Sequence, residues 1–383
     1  MRVVSGPLAG RVAQLLVAAW LVALPDAVSA ASPGAAGITA PVTLQPFDPH
    51  APACSVPPRN TSVAFVQDNR RAFIEGAGMG IAAAAKDRGL DYQDYSADND
   101  AAGQAAKIDE LQQAGVGAVI VPPVDSVSLA PVLQRLINAG GYVGTIVPPP
   151  ATTILNAPQY LTGKALGDAA AAYIHDKLDG KANVVLLTQD SMQFLTPRFR
   201  AIRDALQDMP GVNIVADISP NPVNEDGGYA TMKLVLEAHP DVDMVLGADT
   251  VVLGALKALR EAGKARPEQY LGGIDGEPEA IAEIEAGDGP YKASIALSSP
   301  IFGYALGFEA ADWLQGKSVP QAIDALPIAL TRDNLPSYEA DQADPGAVFA
   351  DPERRARYLK MYGNICYDTR DQYLNFPWSS EGK

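Results

Sequence analysis

Residues 241–263, DVDMVLGADTVVLGALKALREAG, continue through 269–284, QYLGGIDGEPEAIAEI, and this pair of segments repeats one device. A short apolar run, Met244-Val245-Leu246 and then Leu271-Gly272-Gly273-Ile274, reads as a buried strand. Each run ends at an aspartate, Asp249 or Asp275, and a helix-patterned segment follows at once. In an open parallel sheet, ligands sit beyond the carboxyl ends of the strands, where the next helix starts. A carboxylate there faces the crevice, and the helix N-terminus favours its charge. Asp249 taken alone reads more simply as a helix cap. Two consecutive units of the same layout favour a site.

Outward from this stretch the same alternation, strand then helix, runs from Thr61 to a helix over Pro300–Leu314. Upstream, Ser62–Val66, Asp91–Tyr95, Ala118–Val121 and Tyr142–Ile146 read as strands. Between them lie helices over Phe73–Arg88, Gly103–Ala114 and Ser128–Asn138. Pro148-Pro149-Pro150 breaks the series, which resumes at Gly163. Strands alternating with helices imply parallel sheets with right-handed crossovers. So many units divide into two sheets of one build, an α/β chain of two doubly wound lobes.

The ends are different. Arg2 and Arg11, an apolar run from Val12 to Leu24, and the small residues Val28-Ser29-Ala30 read as a secretory signal peptide over 1–30. No later segment reaches membrane-spanning length, so the expectation is a soluble, exported protein. The chain has 383 residues and a formal charge of −16; loss of Arg2, Arg11 and Asp26, a net +1, leaves −17. That balance argues against nucleic acid as a partner, which needs clustered Lys and Arg. Residues 31–60 read as a linker or surface strap. Cys54 and Cys366 are the only cysteines. In an oxidising compartment they can pair only with each other, tying the two terminal extensions together; the alternative is two free thiols. His50, His175 and His239 lack metal-ligand spacing, and no cofactor motif is present.

Taken together, AHPDV through ADTVVLGALKAL (238–259), GIDGEPEAI (273–281), GVGAVIVPPVDS (115–126), LTPRFRAIRDAL (195–206), GKALGDAAAAYI (163–174) and TRDNL (331–335) are similar to the periplasmic sugar-binding proteins of the ribose and galactose type, relatives of the lactose-repressor-like effector domains. The resemblance implies two lobes joined by three crossings, with a ligand cleft between them. The crossings should fall near 150–156, 296–299 and 325–328. Lobe 1 would then hold 61–155 plus 298–325, lobe 2 would hold 156–297 plus 326–335, and 336–383 would form a C-terminal extension. That extension reads as a turn at Asp344–Gly346, an amphipathic helix over Asp351–Tyr362, and an aromatic-rich stretch whose rings pack on a lobe.

Carried over by position, the resemblance implies ligand contacts at Asp275, Arg200, Phe73 and Asp249, and more weakly at Asn69 and Arg71. Asp275 and Arg200 are expected to hold the ligand from opposite walls of the second lobe's share of the cleft. Each residue also has a plainer reading: Arg200 in a surface pair with Asp204, Phe73 packing its helix, and Asp125-Ser126 capping one. Several positions depart from the family, namely Val147, Pro148, Ala248, Leu297, Pro122 and Val223. The implied ligand is therefore sugar-like but not ribose: larger, less hydroxylated, or held partly by Gln67, Asp68, Asp190 and Gln193. The resemblance implies a monomeric solute receptor that closes on its ligand and delivers it to an inner-membrane ABC permease. A sensory binding protein is the alternative. An exported hydrolase stands lower, since no nucleophile elbow or triad is visible.

Overall fold

The computed structural model describes residues 37–147, 149–190 and 192–381. The signal-peptide reading of 1–30 and the reading of Pro148 lie outside the described residues. Four parallel strands and three helices open the fold: β1 (Ser62–Gln67), α1 (Ala72–Arg88), β2 (Asp91–Ser96), α2 (Ala101–Gln113), β3 (Ala118–Val121), α3 (Ser126–Asn138) and β4 (Tyr142–Ile146). β5 (Thr153–Asn156) joins the same sheet. The central strands are buried along their length, as SVAFVQ and AVIV require when helices cover both faces. The edge strand DYQDYS is polar and half exposed, which suits an edge. Local chemistry sets the helix ends. Asp100 accepts from the Ala102 amide to start α2, and Asp125 accepts from the Ser128 amide to start α3. Gly89, at φ 68°, closes α1. Asp125 is thus a cap.

After β5 the chain passes into a second lobe: α4 (Gln159–Lys177), β6 (Ala182–Leu187), α5 (Thr196–Leu206), β7 (Val212–Ile218), α6 (Glu225–Ala238), β8 (Met244–Gly247), α7 (Asp249–Glu261), β9 (Tyr270–Ile274), α8 (Pro278–Ala286) and β10 (Tyr291–Ala296). It returns at 297–298 to supply α9 (Ser299–Leu314) and β11 (Ala322–Ala325), then crosses again to add β12 (Ile328–Leu330) antiparallel to β10. The first sheet runs β13-β11-β5-β4-β3-β1-β2, with β13 formed by Leu359–Tyr362, and the second β12-β10-β9-β8-β6-β7. α9 lies against α1 nearly backbone to backbone. A Cβ on Gly80 would meet the Pro300 carbonyl at 2.0 Å, and one on Gly303 the Ala77 carbonyl at 2.1 Å.

A fourth passage follows β12, beyond the three the family pattern implies. α10 (Leu335–Ala343), α11 (Pro345–Ala350) and α12 (Pro352–Tyr358) return to the first lobe, where Tyr338, Val348, Phe349 and Tyr358 enter its core. The helix expected over Asp351–Tyr362 stops at Tyr358. Residues Leu359–Tyr362 instead form β13, antiparallel to β11, because an open sheet edge there offers unpaired backbone groups. Tyr373, Leu374 and Trp378 are buried in the same core. The strap at 37–60 runs beside this tail: the Ile38 amide donates to Tyr373, the Phe47 amide to Met361, and the Gly363 amide to Gln45. Cys54 and Cys366 are disulfide-bonded, with Cα atoms 6.1 Å apart.

Candidate ligand site

Both lobes reach one cleft of about 330 Å³. The first lobe contributes Arg71 and Phe73 from the entry to α1. The second contributes Thr162, Arg198, Ile274, Asp275, Glu277 and Ile295, while Ala157 and Leu297 line it at two of the crossings. These positions lie at the carboxyl ends of the strands, where a doubly wound sheet offers its crevice.

Asp275 is the centre of the second lobe's wall. It follows β9 directly, and its backbone sits at φ 118°, a conformation that costs a non-glycine residue about 1–3 kcal/mol. Three bonds hold it there. Its own amide donates to the Ile295 carbonyl at 2.8 Å, the Gly276 amide to Ser294 Oγ at 3.0 Å, and the Glu277 amide to Asp249 Oδ2 at 2.8 Å. The Asp275 side chain remains 47 % exposed toward the cleft. The protein packed around its carboxyl pushes the pKa up to about 6. The Arg198 guanidinium pulls it back, while Asp249 and Glu277 add to the rise.

The arginine that meets Asp275 is Arg198, not Arg200. Arg198 is 7 % exposed. Its Nη1 lies 3.4 Å from Asp275 Oδ1, and its Nε donates to Gln159 Oε1 at 3.0 Å. Burial lowers its pKa, and the Asp275 carboxylate opposes that shift. Gly163 makes the packing possible, since a Cβ there would lie 1.8 Å from the Arg198 carbonyl. Arg200 instead is exposed, with its guanidinium 5.3 Å from the Tyr160 ring centre, beside a neighbouring cavity lined by Phe194, Asp204 and Trp378. On a helix, residues two apart point about 160° away from each other. Asp204, the partner considered for Arg200, accepts from the Tyr160 hydroxyl at 2.9 Å.

Asp249 does not line the cleft. It is fully buried at the first turn of α7. Its Oδ1 accepts from the Tyr291 hydroxyl at 2.7 Å, and its Oδ2 from Ser294 Oγ at 2.7 Å and from the Glu277 amide. Burial raises its pKa while these donors oppose the rise. Gly273 gives it room, because a Cβ there would sit 1.7 Å from Oδ1. Asp249 therefore carries the loop that carries Asp275. It stands outside the lining of the cleft, and the N-cap position is held by Ala248.

On the facing wall, Phe73 lines the cleft with its ring 5.4 Å from that of Phe302. Arg71 lines it too and is steadied by Asp68 at 2.7 Å and Asn69 Oδ1 at 2.8 Å. Asn69 donates to Asn99 at 2.8 Å, so it braces Arg71. Asp190 is engaged by Arg203 at 2.5 Å, and Gln67 donates to Asp94 at 2.6 Å. Leu297, in place of a polar hinge residue, gives the cleft an apolar wall. Sequence reasoning passed over Arg198, Thr162 and Glu277. Arg198 alone carried a signal, standing two places from the arginine chosen in the same motif.

The chain has recognisable relatives. The ribose import binding protein of Bacillus subtilis is 28% identical over 297 residues, 71% of this chain and 92% of that protein. The xylitol-binding protein of Mycolicibacterium smegmatis is 28% identical over 272 residues, 69% of this chain and 75% of that one. Among solved structures, the periplasmic ribose ABC transporter protein of Conexibacter woesei superposes with a TM-score of 0.64 at 21% identity, covering 75% of this chain and 97% of that one. The solute-binding protein of Actinobacillus succinogenes with bound D-allose gives 0.60 at 19%, covering 72% and 99%. The periplasmic binding protein domain matches residues 63–318, and the chain belongs to that family.

Proposed function

We propose that the chain is the extracytoplasmic receptor of an ABC importer, capturing a sugar-like polyol by closure of its two lobes. The observation that carries this reading is the cleft in which Arg198 and Asp275 of one lobe face Phe73 and Arg71 of the other. The carboxylate accepts from hydroxyls, the guanidinium donates to hydroxyl or ring oxygens in a fixed fork, and the phenyl ring covers an apolar C–H face. A ligand touching both walls stabilises the arrangement in which the walls are close. Relatives named for ribose and xylitol, and the neighbour holding D-allose, support a ligand of this chemistry. Leu297 and the apolar Ile274 and Ile295 favour one with fewer hydroxyls on one edge than ribose presents.

In this reading the protein is a monomer in the periplasm, exported by the leader at 1–30, and its partner is an inner-membrane permease. Its role is binding rather than catalysis. The test is native mass spectrometry of the protein purified from its host, followed by calorimetric titration with D-ribose, D-allose, xylitol and myo-inositol. A polyol co-purifying with the protein and binding with one-to-one stoichiometry is the expected result. A chain that carries no such molecule and binds none of the four overturns the reading.

A further inference from the structure

Helix α4 begins without a local cap. Its N-cap residue is Pro158, which has no side-chain acceptor to offer the first free amides of the helix. Those amides are satisfied from more than two hundred residues away. Glu381 Oε2 accepts from the Tyr160 amide at 3.0 Å and Oε1 from the Leu161 amide at 2.6 Å. A carboxylate also suits the positive end of the helix dipole.

The two ends of this contact belong to different lobes. The tail that carries Glu381 is fixed to the first lobe. Leu374 exchanges backbone bonds with Ala151 at 3.0 and 3.1 Å. Trp378 is 6 % exposed, lies 5.1 Å from the Tyr362 ring and donates to the Val42 carbonyl at 3.2 Å. Helix α4 is the first element of the second lobe, starting directly after the crossing at 157–158. Its first residue, Gln159, is the one whose Oε1 holds Arg198 Nε in the cleft.

We propose that Glu381 is a positioning residue for ligand capture, a cross-lobe latch that holds the start of α4, and through Gln159 the guanidinium of Arg198, in the arrangement where both walls reach the cleft. The inference rests on the proposed role of that cleft, and it concerns a segment beyond the matched family domain. Hydrogen bonds tolerate only small displacements, so a lobe rotation that carries the start of α4 away from the tail breaks this pair. The latch therefore favours one lobe arrangement, and its loss lowers the fraction of the chain ready to bind.

The test compares the full chain with Glu381→Gln and Glu381→Ala. Without any ligand, hydrogen exchange at the amides of Tyr160 and Leu161 should speed up in the alanine variant and less so in the glutamine variant, which keeps one acceptor. With whichever of D-ribose, D-allose, xylitol or myo-inositol binds the parent, affinity should fall about three- to tenfold in the alanine variant while its melting temperature moves little. Unchanged exchange, or a lowered melting temperature with unaltered affinity, overturns the latch. If the parent binds none of the four, the proposed function fails by itself, and the exchange comparison still decides whether the latch exists.

Discussion

Asp275 is a half-exposed carboxylate held on a strained backbone with its pKa raised to about 6, against a usual value of 3.8. In the proposed role its charged form accepts ligand hydroxyls, so binding should weaken as pH falls below about 6. Calorimetry at pH 5 and 7.5 should show this for the parent and a flat profile for Asp275→Asn. The stability effect has the opposite sense. A folded pKa above the unfolded one favours the protonated native state, so its contribution is present below pH 3.8 and lost as pH rises through 6. Arg198→Ala leaves ligand oxygens unpaired inside the cleft and should cost about 1.5–3 kcal/mol of binding, ten- to a hundredfold. Arg200→Ala should leave affinity within about twofold, since its guanidinium faces Tyr160 outside the cleft. Equal losses from both would place the ligand across the two cavities.

Among the elements, the β8–α7 and β9–α8 units were legible because each pairs an apolar run with a helix pattern, and the alternation carried the parallel build of two sheets but not their strand order. What Asp249 does was not legible. Its partners Glu277, Tyr291 and Ser294 lie 28, 42 and 45 residues downstream, and only the register of β9 with β10 brings them together. Asp249→Ala should strand these donors and release the Asp275 loop, lowering stability by about 2–4 kcal/mol and weakening ligand binding with it, as thermal melts and titration would show. The tail hid β13 for a similar reason: LKMY has a helix-compatible pattern until the edge of β11 is offered to it. Helix α9 holds a second buried acid. Glu309 is 3 % exposed, and burial, with Asp312 nearby, pushes its pKa to about 8, against the pull of Arg355, Arg88 and Lys317. Its contribution to stability is full below pH 4.5 and declines as pH rises to 8. Glu309→Gln should therefore gain on the parent across that window, by on the order of 4 kcal/mol at its upper end. A constant difference in melting temperature from pH 5 to 8.5 would contradict it.

At the scale of the molecule, two lobes of one build enclose the cleft, and the strap at 37–60 and the tail as far as Trp378 are fastened to the first of them. The Cys54–Cys366 bond lies beside Gly316, after α9 and before β11, at the opposite end of the sheet from the cleft. Closing a loop of 312 residues restricts the unfolded chain. Cys54→Ser with Cys366→Ser should thus lower stability by about 2–5 kcal/mol, with ligand affinity unchanged in titrations below the melting transition. Whether the chain is a receptor at all turns on the pair Arg198 and Asp275 facing Phe73. The decisive measurement is a calorimetric titration of the co-purifying polyol into the parent and into Arg198→Ala, both shown to be folded by their melting curves. Tight one-to-one binding in the parent and a loss of ten- to a hundredfold, about 1.5–3 kcal/mol, in the variant is the predicted result. Equal affinity in the two folded proteins would contradict it and remove this cleft as the binding site.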